Sequence, residues 1–373
     1  MIDPKGPLLS PILPALALCV LIAASIACAG EVEGGTPLGS TEGPAAAVAP
    51  RGARLLGIDV SQAPGEGYDQ AFHTARQVGM QFTSLSLAWD DLEPRPGEFA
   101  TEPNWLAAAD LYCPAQSTPL ALTLAPIDTN RIRLPADLQG RPFDDPQVIA
   151  RFERLLDHVM MQIPDVELAV LAIGNEVDAA LGADPDAWAS YRTFFEAAAA
   201  HTRRVSPGVR VGVKVTMGGL LGETRELALA LNARSDIILV TYYSLESDFG
   251  VRSPLVVHDD LAALVGVYPG RPIGLLEAGY PSSEVLGSSE ERQAEFARQI
   301  FRAWDAQAEQ IALLNFTWLT DASQESVEAW ERYYGLSDRR FAAYLASLGL
   351  RRANGQPKPA LDVLAAEAHA RGW

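Results

Sequence analysis

Eight apolar runs of strand length, each separated from the next by a stretch of helical periodicity, constrain this chain more than any other feature. The runs cover residues 55–60, 82–88, 120–125, 168–173, 209–215, 237–242, 273–276 and 311–318. Helical periods fall at 71–77, 105–112, 148–161, 188–204, 224–233, 261–267 and 290–307, with two more at 340–348 and 360–370 after the last run. Runs that are continuously apolar, instead of alternating, belong to strands buried on both faces, as in a parallel sheet covered by helices. Alternation of this kind predicts right-handed crossovers, and eight strands favour an α/β fold closed as a (β/α)8 TIM barrel over an open sheet. An open nucleotide-binding sheet would place a glycine-rich phosphate loop after its first strand. The segment there, Asp59-Val60-Ser61-Gln62-Ala63-Pro64-Gly65-Glu66-Gly67, has neither the dinucleotide fingerprint nor a Lys-Ser/Thr phosphate loop, so no cofactor is expected.

In a parallel barrel the chemistry lies on the rim beyond the strands' C-terminal ends. Two runs stop there on carboxylates. The fourth ends Gly174-Asn175-Glu176, and the seventh continues through Glu277-Ala278-Gly279-Tyr280. On one barrel these two glutamates face each other across the opening, the arrangement that glycoside hydrolysis requires. The other ends supply Asp59, the stretch Trp89-Asp90-Asp91-Leu92-Glu93-Pro94, Asp128, Lys214 with Thr216, Tyr242-Tyr243 and Trp318. Each has an ordinary reading too. Glu176 can cap the following helix or pair with Arg192; one of the two tyrosines belongs to the core; Trp318 and Trp89 either plug the barrel top or offer a ring face to a sugar. Asp59 is a solvated rim charge or a substrate contact. Trp330, Tyr333 and Tyr334 fall in a long loop after the eighth strand, to line a distal subsite or to pack that loop down.

These residues resemble the retaining β-glycosidases of the (β/α)8 superfamily known as clan A. The likeness runs from about residue 55 to the C-terminus and is specific to the superfamily, with the stretch 276–282 similar to the nucleophile strand of plant-type β-1,3-glucanases and endo-β-1,4-galactanases. The segment 89–99, with Glu93-Pro94, Pro96-Gly97 and Phe99, is similar to the loop after the second strand in many members. The resemblance implies Glu176 as general acid/base, Glu277 as nucleophile and Trp318 as sugar platform, with a β-linked oligo- or polysaccharide as substrate. An arginine that often stands near the second-strand end in that superfamily has no counterpart here. On this reading Asn175 donates an amide hydrogen bond to the sugar's 2-hydroxyl, and Tyr242 or Tyr243 donates to Glu277, with Tyr243, one place nearer the rim, favoured. A carbohydrate-binding surface lipoprotein without turnover is the alternative, and an adhesive surface protein a further one.

The rest of the chain sets the context. Lys5 precedes a stretch at 15–27, apolar apart from Ser25, which predicts a signal segment (residues 1–28) and export; its close on Ser25-Ile26-Ala27-Cys28 resembles a bacterial lipoprotein cleavage box, which implies lipidation at Cys28 and a membrane-tethered product, with ordinary signal cleavage or an uncleaved anchor as the alternatives. Residues 29–53, mostly Gly, Pro, Ala, Ser and Thr, read as a tether, and 54–373 as the barrel. A formal charge of −18 argues against a nucleic-acid partner. No Cys-x-x-Cys and no paired histidines around a glutamate suggest a metal, and Cys113 reads as a small buried hydrophobe.

Overall fold

The computed structural model describes residues 48–99 and 103–373, so the expected signal segment, Cys28 and residues 29–47 of the expected tether lie outside the described residues. Eight barrel strands follow the expected order: β1 (Leu55–Ile58), β2 (Thr83–Ala88), β3 (Leu120–Asp128), β4 (Leu168–Asn175), β5 (Val211–Gly212 and Lys214–Thr216), β6 (Ile238–Tyr243), β7 (Ile273–Gly279) and β8 (Ile311–Phe316). Parallel pairing runs β2-β3-β4-β5 on one side and β5-β6-β7-β8-β1 on the other. A parallel bridge from Gly57 to Phe82 joins β1 to β2 and closes the ring. The fold is therefore a (β/α)8 barrel.

The apolar runs divide by parity. On β4, Val170 and Ala172 fill the barrel interior with Phe82, Leu239 and Leu313, while Leu171 and Ile173 face the helices. Each large aliphatic side chain buried there contributes about 1.5–3 kcal/mol. The helical layer comprises α1 (Tyr68–Gln77), α2 (Trp105–Ala115), α3 (Pro146–Gln162), α4 (Pro185–Val205), α5 (Arg225–Asn232), α6 (Val257–Val267) and α7 (Glu290–Ala306). Start signals are plain in the sequence: Asp145 and Asp184 cap α3 and α4 directly before a proline, and Ser289 caps α7.

After β8 the structure departs from the expected loop. Residues Gln324–Tyr334 form a helix, α8, followed by α9 (Arg339–Leu345) and α10 (Pro359–Arg371). Ser323 accepts a hydrogen bond from the Ser326 amide at the start of α8, Gly335 ends it in the left-handed region (φ 68°), and Val327, Trp330 and Tyr334 form its buried stripe. The last helix seals the layer against α7: Arg371 and Arg54 both reach Asp305, at 2.7 and 3.0 Å, and Trp373 stacks on Trp304.

Candidate active site

Two local irregularities aim the rim carboxylates. On β4 the parity of Val170 and Ala172 would send Gly174 inward and Asn175 toward the helices. Instead Gly174 takes φ 90°, where a Cβ would lie 2.2 Å from the Tyr191 hydroxyl, and that hydroxyl donates to the Ile173 carbonyl at 3.0 Å. The turn at this glycine brings Asn175 and Glu176 to the barrel mouth, where Glu176 itself stands at φ 44°. On β7 a bulge does the corresponding work. Val240 pairs with Leu275 but Thr241 pairs with Glu277, so one extra β7 residue is accommodated and Glu277 joins the inward face after Leu276.

Glu277 is held on both oxygens. Lys214 Nζ donates to Oε1 at 2.7 Å from β5, and the Tyr243 hydroxyl donates to Oε2 at 2.9 Å from β6. Glu176 is fully buried and accepts from Thr241 Oγ1 at 2.6 Å and Thr129 Oγ1 at 3.1 Å. Thr241 is the register partner of Glu277, so one β6 threonine bridges the surroundings of both acids. Burial, and then the charge of Glu277, pushes the Glu176 carboxyl up to about 8 against the Thr241 hydrogen bond. The site therefore holds two carboxyls in contrasting environments: one bound by hydroxyls in a dry pocket, the other ion-paired.

A relay runs away from this pair. Asn175 Nδ2 donates to Asp128 Oδ1 at 2.8 Å, the Tyr333 hydroxyl donates to Asp128 Oδ2 at 2.7 Å, and Arg133 donates to that hydroxyl at 2.6 Å. Burial raises the Asp128 carboxyl, with the Tyr333 and Asn175 hydrogen bonds opposing. Asn175 Oδ1 and the Tyr334 hydroxyl are buried without a hydrogen-bond partner. Asp59, at the end of β1, accepts from Asn315 at 2.7 Å and from Ser84, and burial pushes it up to about 6.

Other expected contacts are corrected. Tyr242 has the helix-facing parity of Ile238 and Val240, and its hydroxyl donates to Asp260 of α6 at 2.8 Å, so it leaves the mouth to Tyr243. Trp89 is 0% exposed in a single helical turn (Trp89–Leu92), packed on Phe152 and Phe194, with its indole N–H donated to Glu93 at 2.9 Å; it offers no face to a sugar. Glu93 is likewise structural, accepting from Arg151 Nε at 2.8 Å and from the Gly97 amide at 2.7 Å. Trp318 does sit beside the mouth, near Tyr243, but stacks on Trp330 at 5.1 Å and is 2% exposed. Sequence reasoning missed Thr129, Thr241 and the cap formed by α8. The threonines carry no local signal, since hydroxyls at strand ends are common. Cys113 is buried as expected, and burial raises its thiol to about 11. Among the described residues no cluster of three or more His, Cys, Asp or Glu is placed to hold a metal ion.

A cleft of about 330 Å³ lies between the loops after β5 and β6, and neither Glu176 nor Glu277 is among its lining residues. Its lining includes Thr241 and Tyr243, which bond Glu176 and Glu277, together with the helix-facing pair Tyr242 and Asp260.

Fold and rim together define a barrel of the kind found in the glycoside hydrolases. Similar solved structures include the exo-β-1,4-mannosidase of Opitutaceae bacterium strain TAV5, at 17% identity and TM-score 0.65 over 85% of this chain and 59% of that one. A variant GH5_18 from Streptomyces cattleya in complex with Manβ1-4GlcNAc matches at 18% identity and TM-score 0.64, over 85% and 80%. A family 39 glycoside hydrolase from Bacteroides cellulosilyticus WH2 matches at 15% identity and TM-score 0.60, over 86% and 64%. No family model matches the sequence, and no curated protein sequence does. At these identities the likeness carries the fold.

Proposed function

We propose that this protein is a retaining β-glycosidase using Glu277 as nucleophile and Glu176 as acid/base. The observation that supports this most is the contrast between the two carboxyls on one rim: Glu277 ion-paired to Lys214 at 2.7 Å, Glu176 buried and raised to about 8. In the first step Glu277 forms a bond to the anomeric carbon as the bond to the leaving oxygen breaks, and Glu176 gives its proton to that oxygen. In the second step water attacks the anomeric carbon, its proton goes to Glu176, and the bond to Glu277 breaks. Asn175 keeps Oδ1 available for the sugar's 2-hydroxyl while Asp128 fixes its amide. β-Mannosides are the first substrates to test, since one neighbour is an exo-β-1,4-mannosidase and another binds Manβ1-4GlcNAc. The segment at 15–27 and Cys28 support export with a lipid tether, which Cys28→Ala should abolish as read by metabolic fatty-acid labelling.

The test is incubation with 2-fluoro aryl β-glycosides of mannose, glucose and galactose, followed by peptide mapping. Label is expected on Glu277, and Glu277→Gln is expected to lose turnover. Label on another residue, or Glu277→Gln activity within about tenfold of wild type, would overturn the assignment.

A further inference from the structure

The general acid of a glycosidase has to touch the leaving oxygen, yet no part of Glu176 is exposed and both of its carboxylate oxygens accept from threonine hydroxyls. Glu277 is 6% exposed, with each oxygen likewise bonded. No saccharide reaches the acid in this arrangement, so part of the roof has to move before one does. The part that lies across the mouth is α8. Tyr333 near its end donates to Asp128 of β3 at 2.7 Å, Trp330 in its middle stacks on Trp318 after β8 at 5.1 Å, and Val327, Trp330 and Tyr334 share a buried cluster with Tyr243 of β6. Contacts at β3, β6 and β8 are spaced round the ring, which puts the helix over the opening and not beside it.

Two properties set α8 apart from the helices of the barrel wall. Its apolar side packs in a cluster of its own, made with α9 and a few rim residues, separate from the clusters that fill the barrel and hold the wall. Its last turn is also held by a polar tie, the two-strand hairpin that extends β3. Arg131 Nε donates to the Tyr333 carbonyl at 2.7 Å, Asn130 to the Tyr334 carbonyl at 3.2 Å, and Arg133 to the Tyr333 hydroxyl at 2.6 Å. Asn130 and Arg131 are exposed, where water competes for those bonds. Arg133 is anchored to the barrel by Asp90 and Asp91, at 2.7 and 2.9 Å, so the hairpin stays in place when the helix leaves. The Tyr334 hydroxyl, buried without a hydrogen-bond partner, gains water on lifting.

The same hairpin reaches the acid. Asp128 accepts from Asn175 at 2.8 Å, while Thr129 donates its hydroxyl to Glu176 at 3.1 Å and its amide to the Asn175 carbonyl at 2.9 Å. Residues 128–133 thus carry both the contacts to the acid's surroundings and the contacts to the helix above it. We infer that α8 is a lid latched by this hairpin: while Arg131 and Asn130 hold its last turn the glutamate pair is sealed, and a saccharide enters only when the helix lifts. What the lid admits rests on the glycosidase reading above, and the experiment separates the two.

Amide hydrogen exchange read by mass spectrometry measures the opening of α8 without reference to any activity. Peptides over 324–334 are expected to exchange at least about tenfold faster than peptides over α7. Arg131→Ala should speed the exchange of α8 about fivefold and Asn130→Ala about twofold, with α7 unchanged. Because only the open fraction binds, kcat/KM on the preferred aryl β-glycoside should rise by about the same factors, whereas loss of a merely structural contact would lower it or leave it alone. Arg131→Lys keeps a donor and should bring both readings to within about twofold of wild type. Exchange in α8 as slow as in α7, or unmoved in both alanine variants, would make the helix a fixed roof and overturn the lid, whether or not Glu277 takes the label. Faster exchange with kcat/KM unchanged or lower would show that the opening admits nothing and would also overturn it. Faster exchange with no turnover of any aryl β-glycoside by wild type or variants would keep the lid and sink the glycosidase reading.

Discussion

The proton on Glu176 gives the sharpest test of the mechanism, because two neighbours pull its affinity in opposite directions. Activity needs the acid form, so kcat/KM should fall as pH rises through about 8. The Thr241 hydroxyl, 2.6 Å from Oε1, stabilises the carboxylate form. Thr241→Val keeps the shape and removes that bond; a hydrogen bond to a charged group is worth about 1.5–3 kcal/mol. At 1.36 kcal/mol per pH unit this raises the alkaline limb by about 1–2 units. Asp178 acts the other way: its negative charge adds to the rise at Glu176, so Asp178→Asn should lower the limb by about half a unit to one unit. The assay is a pH series of kcat/KM on the preferred aryl β-glycoside for wild type and both variants. If the limbs of the two variants move in the same direction, or Thr241→Val moves its limb down, the titrating group is not Glu176.

Three further outcomes are expected. Lys214→Met leaves the buried Glu277 without its cation, and breaking one partner of a buried pair costs about 3–5 kcal/mol; if that loss falls on the transition state, kcat/KM should fall about 10²–10⁴-fold, and a loss under about tenfold would remove Lys214 from the nucleophile's support. Tyr243→Phe should cost at least about tenfold in kcat and Tyr242→Phe under about threefold, since only the first hydroxyl reaches Glu277; equal losses would contradict the inward parity of Tyr243. Glu176→Gln should gain stability over wild type as pH rises. The folded-state affinity of Glu176 is raised, so its contribution is present below the unfolded value of about 4.5 and is lost as pH climbs to about 8. Between pH 7 and 9 the difference should widen by about 1.4 kcal/mol in urea unfolding, and a flat difference would mean that Glu176 is already ionised at pH 7.

The sequence made the strand count, order and rim legible because a buried parallel strand leaves a continuous apolar run, and each run ended close to its observed strand. Glu176 was readable for a similar reason: Gly174 before it marks the turn that aims it. Glu277 was readable only in place. Leu275-Leu276-Glu277 contains nothing that announces a bulge, and simple alternation after Leu276 would have turned this side chain to the helices. Trp89 shows the converse failure, since a tryptophan at a strand end looks the same whether its ring faces a ligand or Phe152. The helix α8 had its signals in view, Ser323 before the start, Gly335 after the end, and Val327, Trp330 and Tyr334 at helical spacing; reading the aromatics as a loop group overlooked that period. Lys214 was visible as a rim cation, but pairing it with a residue 63 positions away needs the closed barrel.

What the fold spends at the mouth argues for its use. Thr129 and Glu176, hydrogen-bonded to each other, both stand in the left-handed region, at φ 53° and 44°, conformations that cost about 1–3 kcal/mol each for residues with side chains. A buried Lys214–Glu277 pair is a further cost, since apolar residues of like volume in such places are often more stable by about 1–4 kcal/mol. Glu176 adds a carboxyl sealed from water beside another carboxyl. None of these helps the barrel close, and interior positions one layer below are filled by Val170, Leu239 and Leu276, which shows what the same strands carry where only packing matters. The aromatic packing of Trp318, Trp330, Tyr334 and Phe341 over the mouth offsets the expense and also decides the shape of the opening. The packing of α8 and the burial of the costly groups are thus linked through Tyr243, which belongs to this aromatic cluster and bonds Glu277, and a change that loosens α8 should disturb the acids' environment.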